Sequence, residues 1–199
     1  MSANSKKLNF VGSIHKQCTG DNMNYLQIDK CSINAGPGVR VTLWVSGCSC
    51  RCKNCQNPES WDFNSGKTFD DAAKRKLFEA LDKSYIRGLT LSGGHPLEDK
   101  NVEDVLFLIH DVKQHFPDKD IWLYTGYTME SIFPVVKPDK ISWEDIARQR
   151  VVELCDVVVD GPYIEEQRDI TLAFRGSKNQ RLIDVKETLK QHKIITIQN

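Results

Sequence analysis

Two hydrophobic rhythms alternate along the chain. Val39, Val41, Leu43 and Val45 recur at every second position among β-branched and aromatic neighbours, the pattern of a buried strand, which stops at Ser46-Gly47. Three shorter apolar runs, Gly88–Ser92, Ile121–Thr125 and Val157–Val159, also read as strands, and each stops close to a glycine. The other rhythm is helical. Phe69, Ala72, Ala73, Leu77, Phe78 and Leu81 share one face, with Thr68 and Asp71 as a hydroxyl cap and its acid three residues on. Val102, Val105, Leu106, Ile109, Val112 and Phe116 mark a second helix. A third is expected from a Ser142 cap to about Leu154, with Ile146, Val151 and Leu154 on its apolar side. Tyr25–Ile28 alternates like a strand, Asn34–Gly38 is a turn by composition, and Leu182–Val185 and Ile194–Ile197 are compatible with two more strands.

Strands alternating with helices predict an α/β fold with a parallel sheet and helical crossovers. Functional groups in such folds gather at the carboxyl ends of the strands. Four segments directly follow a strand: the loop after Val45, Gly93-Gly94-His95-Pro96, Thr125-Gly126-Tyr127 and Asp160-Gly161-Pro162. All four are expected on one rim. An eight-stranded barrel takes about 250 residues, so a body of about 175 supports about six strand–helix units, an incomplete barrel open on one side. Residues 1–22 are polar and aperiodic and read as a loosely ordered extension, leaving 23–199 as a single domain.

Charge and composition narrow the function classes. Lys plus Arg and Asp plus Glu are both 27 in 199 residues, without the basic excess of a nucleic-acid binder. No apolar run approaches the roughly 18 residues of a membrane span, and the start lacks the form of a secretory signal. The expectation is a cytoplasmic protein without nucleic-acid or membrane partners.

The seven cysteines are odd in number and unevenly spread, unlike a secreted disulfide framework. Cys48, Cys50, Cys52 and Cys55 fall within eight residues, directly after the first buried strand. Such density points to a metal or iron–sulfur site. Cys48, Cys52 and Cys55 form C-x3-C-x2-C, with Cys50 as an extra thiol inside. Four cysteines usually hold an iron–sulfur cluster, so three would leave one iron open to another ligand. The competing reading is a structural zinc site using all four thiols, although the second C-x2-C knuckle usual in such sites is missing. Cys18, Cys31 and Cys155 read as ordinary thiols, and His15, His110, His115 and His192 show no ligand spacing.

C-x3-C-x2-C after a first strand resembles the signature of radical S-adenosylmethionine enzymes. The ordered blocks Gly36–Arg40, Val45–Cys48, Cys55-Gln56-Asn57, Leu89–Gly94, Tyr124–Tyr127, Val159–Gly161 and Arg175–Arg181 resemble, more narrowly, the branch that activates anaerobic ribonucleoside-triphosphate reductase. The resemblance covers about Tyr25 to Asp184. It implies a [4Fe-4S] cluster on Cys48, Cys52 and Cys55, with S-adenosylmethionine on the open iron and cleaved to a 5′-deoxyadenosyl radical. That radical would take hydrogen from a glycine of the reductase's glycyl radical subunit. A flavodoxin- or ferredoxin-like protein would supply the electron. Cofactor-contacting positions implied are Asn54, Gln56, Gly93, Gly94, His95, Tyr124 and Asp160. Aromatic residues at strand ends such as Tyr124 are more often simple packing, and Asp160 is equally readable as part of a turn. No catalytic side chain beyond the cluster ligands is implied.

The chain departs from this family at three positions. His95 stands where an acid is usual, so it would face the methionyl ammonium only as a neutral acceptor, with binding weakened on acidification. Cys50 stands for the usual His and is expected to remain a spare thiol. Asn54 stands for Gly and tolerates unusual backbone angles. Rival readings are activation of another glycyl radical enzyme, small-molecule radical chemistry, or a zinc-stabilised interaction module without catalysis.

Overall fold

The computed structural model describes residues 22–135 and 140–198. The extension read over 1–22 therefore lies, apart from Asn22, outside the described residues, as do Cys18 and His15. From Asn22 the chain enters β1 (Asn24–Ser32), turns through Asn34–Gly38 and runs as β2 (Val39–Val45). The cysteine loop follows, then the two-residue β3 (Lys67–Thr68), α1 (Asp71–Leu81), β4 (Ile86–Gly93) and α2 (Asp99–His115). The rest is β5 (Asp120–Tyr124), the short α3 (Met129–Ile132), α4 (Trp143–Leu154), β6 (Val157–Asp160), β7 (Arg181–Asp184) and α5 (Val185–Gln191).

These strands form one seven-stranded sheet in the order β3-β1-β2-β4-β5-β6-β7. β2, β4, β5 and β6 are mutually parallel. β1 and β3 on one side and β7 on the other are antiparallel. The parallel run is thus four strands long, shorter than the six units expected from length, because both flanks are built from hairpin-like returns that need no crossover helix.

Alternation along each strand separates two faces. Val41, Leu43 and Val45, then Leu89 and Leu91, then Ile121 and Leu123 join Leu77, Phe78, Leu81, Val105, Ile109, Val112, Ala147 and Val151 in one buried core. The other face carries a smaller cluster of Trp122, Val157, Val159 and Leu182, with Tyr124 and Phe174 against it. Buried Arg40 crosses beneath that face. Its guanidinium donates to Thr90 Oγ1 (2.7 Å) and the Leu89 carbonyl (2.9 Å), pairs with Asp120 at 2.6 Å and lies 5.4 Å from the Trp122 ring.

Several boundaries differ from the sequence reading. Asp70 caps α1, its carboxylate accepting from Ala73 N at 2.8 Å, whereas Thr68 lies in β3. Asp70 sits where the helix begins, two residues beyond Thr68, and Phe69 lies before the helix, edge-on to Tyr25. Ala72 is exposed, and Ala80 is buried in its place. Ser142 caps α4 as expected, in a reciprocal box with Asp145. Its buried side, however, is Ala147, Val151 and Val152, while Ile146 is exposed. Val185 starts a helix rather than ending a strand, and Ile194–Ile197 contributes a single bridge from Thr196 to Ile183. Among the described residues, no helix is long and apolar enough to cross a membrane.

Candidate functional site

The carboxyl ends of β2, β4, β5 and β6 bring the four expected segments together on one rim. Backbone bonds join them: Gly94 N donates to the Val45 carbonyl (2.8 Å), His95 N to the Gly47 carbonyl (2.8 Å) and Gly161 N to the Tyr127 carbonyl (2.9 Å). Glycine is required where this apposition is closest. Gly47 has φ +92°, and a Cβ there would lie 2.1 Å from Phe63. A Cβ on Gly94 would lie 2.6 Å from the Gly47 carbonyl oxygen. The two glycines of the β4 turn thus let backbone pack on backbone at the root of the cysteine loop.

The loop has two limbs. Its first is pinned by Gly47 N to the Ser60 carbonyl (2.7 Å), Cys48 N to the Trp61 carbonyl (3.2 Å) and Ser49 N to Glu98 Oε1 (2.8 Å). Here Cys50 is packed against Cys48 and does not stand apart. Its sulfur occupies the space over Gly126, where a Cβ would come within 2.7 Å of it. The proximity of the two thiols draws Cys48 below its ordinary range and pushes Cys50 above it. The second limb carries Cys52 and Cys55, half-buried, with Cys55 N donating to the Cys52 carbonyl at 3.1 Å. Asn54 sits between them at φ +55°, the left-handed conformation that Asn tolerates.

Cys52, Cys55, Gln56 and Tyr124 border a cavity of about 540 Å³ on the inner face of the sheet. Trp44 and Ser92 form its floor, and Tyr163, Phe174 and Arg175 its far wall. Tyr124 is fixed by donating its hydroxyl to the Phe174 carbonyl at 2.9 Å. Burial pushes its phenol up, so it stays neutral. The wall residues Tyr163 and Phe174 carry no spacing signal, because the chain folds back from a distant segment to place them. Cys52 and Cys55 border this cavity, whereas Cys48 lines a separate one beside Trp61 and Phe63; thiols so placed on one loop suit an iron–sulfur cluster with one exchangeable position.

Two expected cofactor contacts have other tasks. The His95 side chain is 2% exposed and both its ring nitrogens are engaged. Nδ1 lies 3.1 Å from Glu98 Oε1 and Nε2 2.7 Å from Thr125 Oγ1, while Gly126 N donates to Nε2 at 3.3 Å. A proton on Nδ1 satisfies every partner, so the ring has no free lone pair for a ligand. Asp160 is fully buried, accepting from Met129 N (2.9 Å) and Arg181 Nε (2.9 Å). Both its oxygens are used in joining β6, β7 and α3.

Glu98 was not singled out by spacing, though it lies three residues after His95. It accepts from Ser49 N, Ser49 Oγ (2.7 Å) and His95. Burial opposes its ionisation, but these bonds outweigh that and hold its carboxyl down to about 2.

A family model described as a 4Fe-4S single cluster domain matches residues 34–183. The chain is 41% identical over 160 residues to the anaerobic ribonucleoside-triphosphate reductase-activating protein of Haemophilus influenzae, covering 79% of this chain and 96% of that one. The protein of the same name from Enterobacteria phage T4 is 41% identical, with 80% and 93% covered. That of Escherichia coli K12 is 38% identical, with 79% and 96% covered.

Proposed function

Because the chain belongs to the family of anaerobic ribonucleoside-triphosphate reductase-activating proteins and carries a 4Fe-4S single cluster domain, we propose that it generates the glycyl radical of such a reductase. It does so through reductive cleavage of S-adenosylmethionine. One observation carries the reading: two half-buried thiols of the loop, Cys52 and Cys55, open onto the inner-face cavity at the rim of the parallel strands.

Cys48, Cys52 and Cys55 are the proposed cluster ligands. When bound there, the cluster would supply the single electron for reductive cleavage of S-adenosylmethionine to methionine and a 5′-deoxyadenosyl radical. The protein positions the reactants and excludes water. Gly93 and Gly94, which the resemblance places against S-adenosylmethionine, let the β4 turn pack directly on the backbone of β2 and of the loop root. Gln56 and Tyr124 border the space beside the thiols, and Asn54 gives the loop its bend. His95, Glu98 and Asp160 act as positioning residues. The hydrogen donor would be a glycine of the reductase's glycyl radical subunit.

The fold fits this task. Helices cover one face of the parallel strands and the cavity borders the other, an arrangement that supports an incomplete barrel formed by 23–199 as a single domain. A flavodoxin- or ferredoxin-like donor and a cytoplasmic, reducing setting complete the proposal. Family membership favours the reductase over another glycyl radical enzyme or a small molecule, and favours the cluster over a zinc-stabilised module.

The test is anaerobic reconstitution, reduction with S-adenosylmethionine and a candidate reductase, and paramagnetic resonance. A glycyl radical on the reductase, lost with Cys48→Ser, Cys52→Ser or Cys55→Ser, is expected. Reconstituted protein that neither cleaves the sulfonium nor yields that signal refutes the reading.

A further inference from the structure

We propose that Cys48, Cys50 and Glu98 form a second metal site, selective for a thiophilic divalent cation of the zinc class. One ligand atom from each, two thiol sulfurs and a carboxylate oxygen, lies within 4.8 Å of the others. Glu98 is only 7% exposed. Among the described residues its hydrogen bonds all fall on Oε1, leaving Oε2 without a partner. A buried carboxylate with one unused oxygen beside two soft donors is a built arrangement. Two thiolates and a carboxylate suit zinc, and three protein ligands leave a fourth, tetrahedral position for water.

Surrounding contacts hold each donor in place. Ser49 and His95 hold the carboxylate through Oε1, as outer-shell partners orient metal ligands. Gly126 provides the space that Cys50 fills.

Cys50 has no place in the three-cysteine cluster set, and this site gives it one. Cys48 belongs to both sets, so occupancy by a divalent cation and by the cluster are alternatives. That competition, unlike the site itself, rests on the cluster ligands proposed above. Zinc on the first limb would withhold Cys48 from the cluster while leaving Cys52 and Cys55 free.

The experiment titrates the full-length chain, stripped of metal and kept reduced without oxygen, with cobalt(II) and then zinc. One equivalent of cobalt should bind, with a sulfur-to-metal charge-transfer band of the intensity given by two thiolates. Cys50→Ser and Glu98→Gln should each weaken binding by at least about tenfold, the low end for loss of even an outer-shell partner. Gly126→Ala, which crowds Cys50 and leaves all three ligands in the chain, should match Cys50→Ser, with folding checked by circular dichroism. Cys52→Ser and Cys55→Ser should bind as the parent does. Absence of binding overturns the proposal. So does loss of binding in Cys52→Ser or Cys55→Ser with Cys50→Ser unaffected. In a separate arm, zinc loaded first should block iron–sulfur reconstitution in the parent chain but not in Cys50→Ser. A chain that binds cobalt as described yet never accepts a cluster counts against the enzyme reading and leaves this site standing.

Discussion

Replacing His95 by Leu tests whether the ring braces the rim or serves a ligand directly. Leucine keeps most of the volume and removes both polar functions. Glu98 then loses a donor to a buried carboxylate, about 1.5–3 kcal/mol for a hydrogen bond to a charged group. The amide of Gly126 loses its acceptor at the imidazole, about 1–3 kcal/mol for a buried group left unpaired. Thr125 Oγ1 still accepts from Tyr127 N at 3.1 Å and its hydroxyl can rotate, so its share is small. The apolar side chain regains about 1 kcal/mol by burial. A net loss of about 3 kcal/mol remains, a large fraction of a typical 5–15 kcal/mol. For a domain of this size that corresponds to a fall in Tm of about 6–12 °C. Thermal and urea unfolding of the metal-free chain measure it, with His95→Gln expected to recover part of the loss by keeping one donor or acceptor. S-adenosylmethionine affinity in the parent should also stay flat between about pH 6 and 8, where a ligand-facing histidine would titrate. A Leu variant as stable as the parent, together with affinity that falls on acidification, would return His95 to direct contact with the cofactor.

Other perturbations reach different parts of the frame. Arg40→Met removes a buried cation while Asp120 keeps Arg87 at 2.8 Å, so the cost in urea unfolding should be about 2–3 kcal/mol, below the range for a fully orphaned partner; an unchanged midpoint would refute the network. Gly94→Ala pushes a Cβ against the Gly47 carbonyl and should cost about 1–3 kcal/mol, with less iron retained after reconstitution. Asp156 is partly shielded, which opposes ionisation, yet its bonds from Lys113 and Ile121 N hold its carboxyl below the ordinary range. A depressed folded-state value gives stability that is present above the unfolded carboxylate value, near 4, and is lost as pH falls through the folded one. Asp156→Asn should therefore lower the urea midpoint at neutral pH and flatten its decline in acid. An unaltered acid slope would contradict this.

Sequence periodicity located the parallel core because β2, β4, β5 and β6 are buried on the helix side, where alternation is enforced by packing. It misjudged the flanks. Ile194–Ile197 is apolar enough for a strand, but only Thr196 bridges to Ile183, and the preceding residues form α5. The rim was legible because each strand ends at a glycine. His95 was visible as a departure from an expected acid, but its neighbours were not. Thr125 and Glu98 take up its two nitrogens only once β5 and α2 are packed. Likewise Cys50 stood out as an extra thiol, while its convergence on Cys48 depends on the space above Gly126, a feature of the fold that no local spacing encodes.

The cavity wall from Tyr163 to Gln180 enters the molecule long after the cysteine loop it faces. A ribosome therefore exposes all four loop thiols while the opposite side of their chamber is still unmade. Closing of that chamber waits on the later segment, and a chain interrupted before Tyr163 would present the loop sulfurs with nothing opposite them.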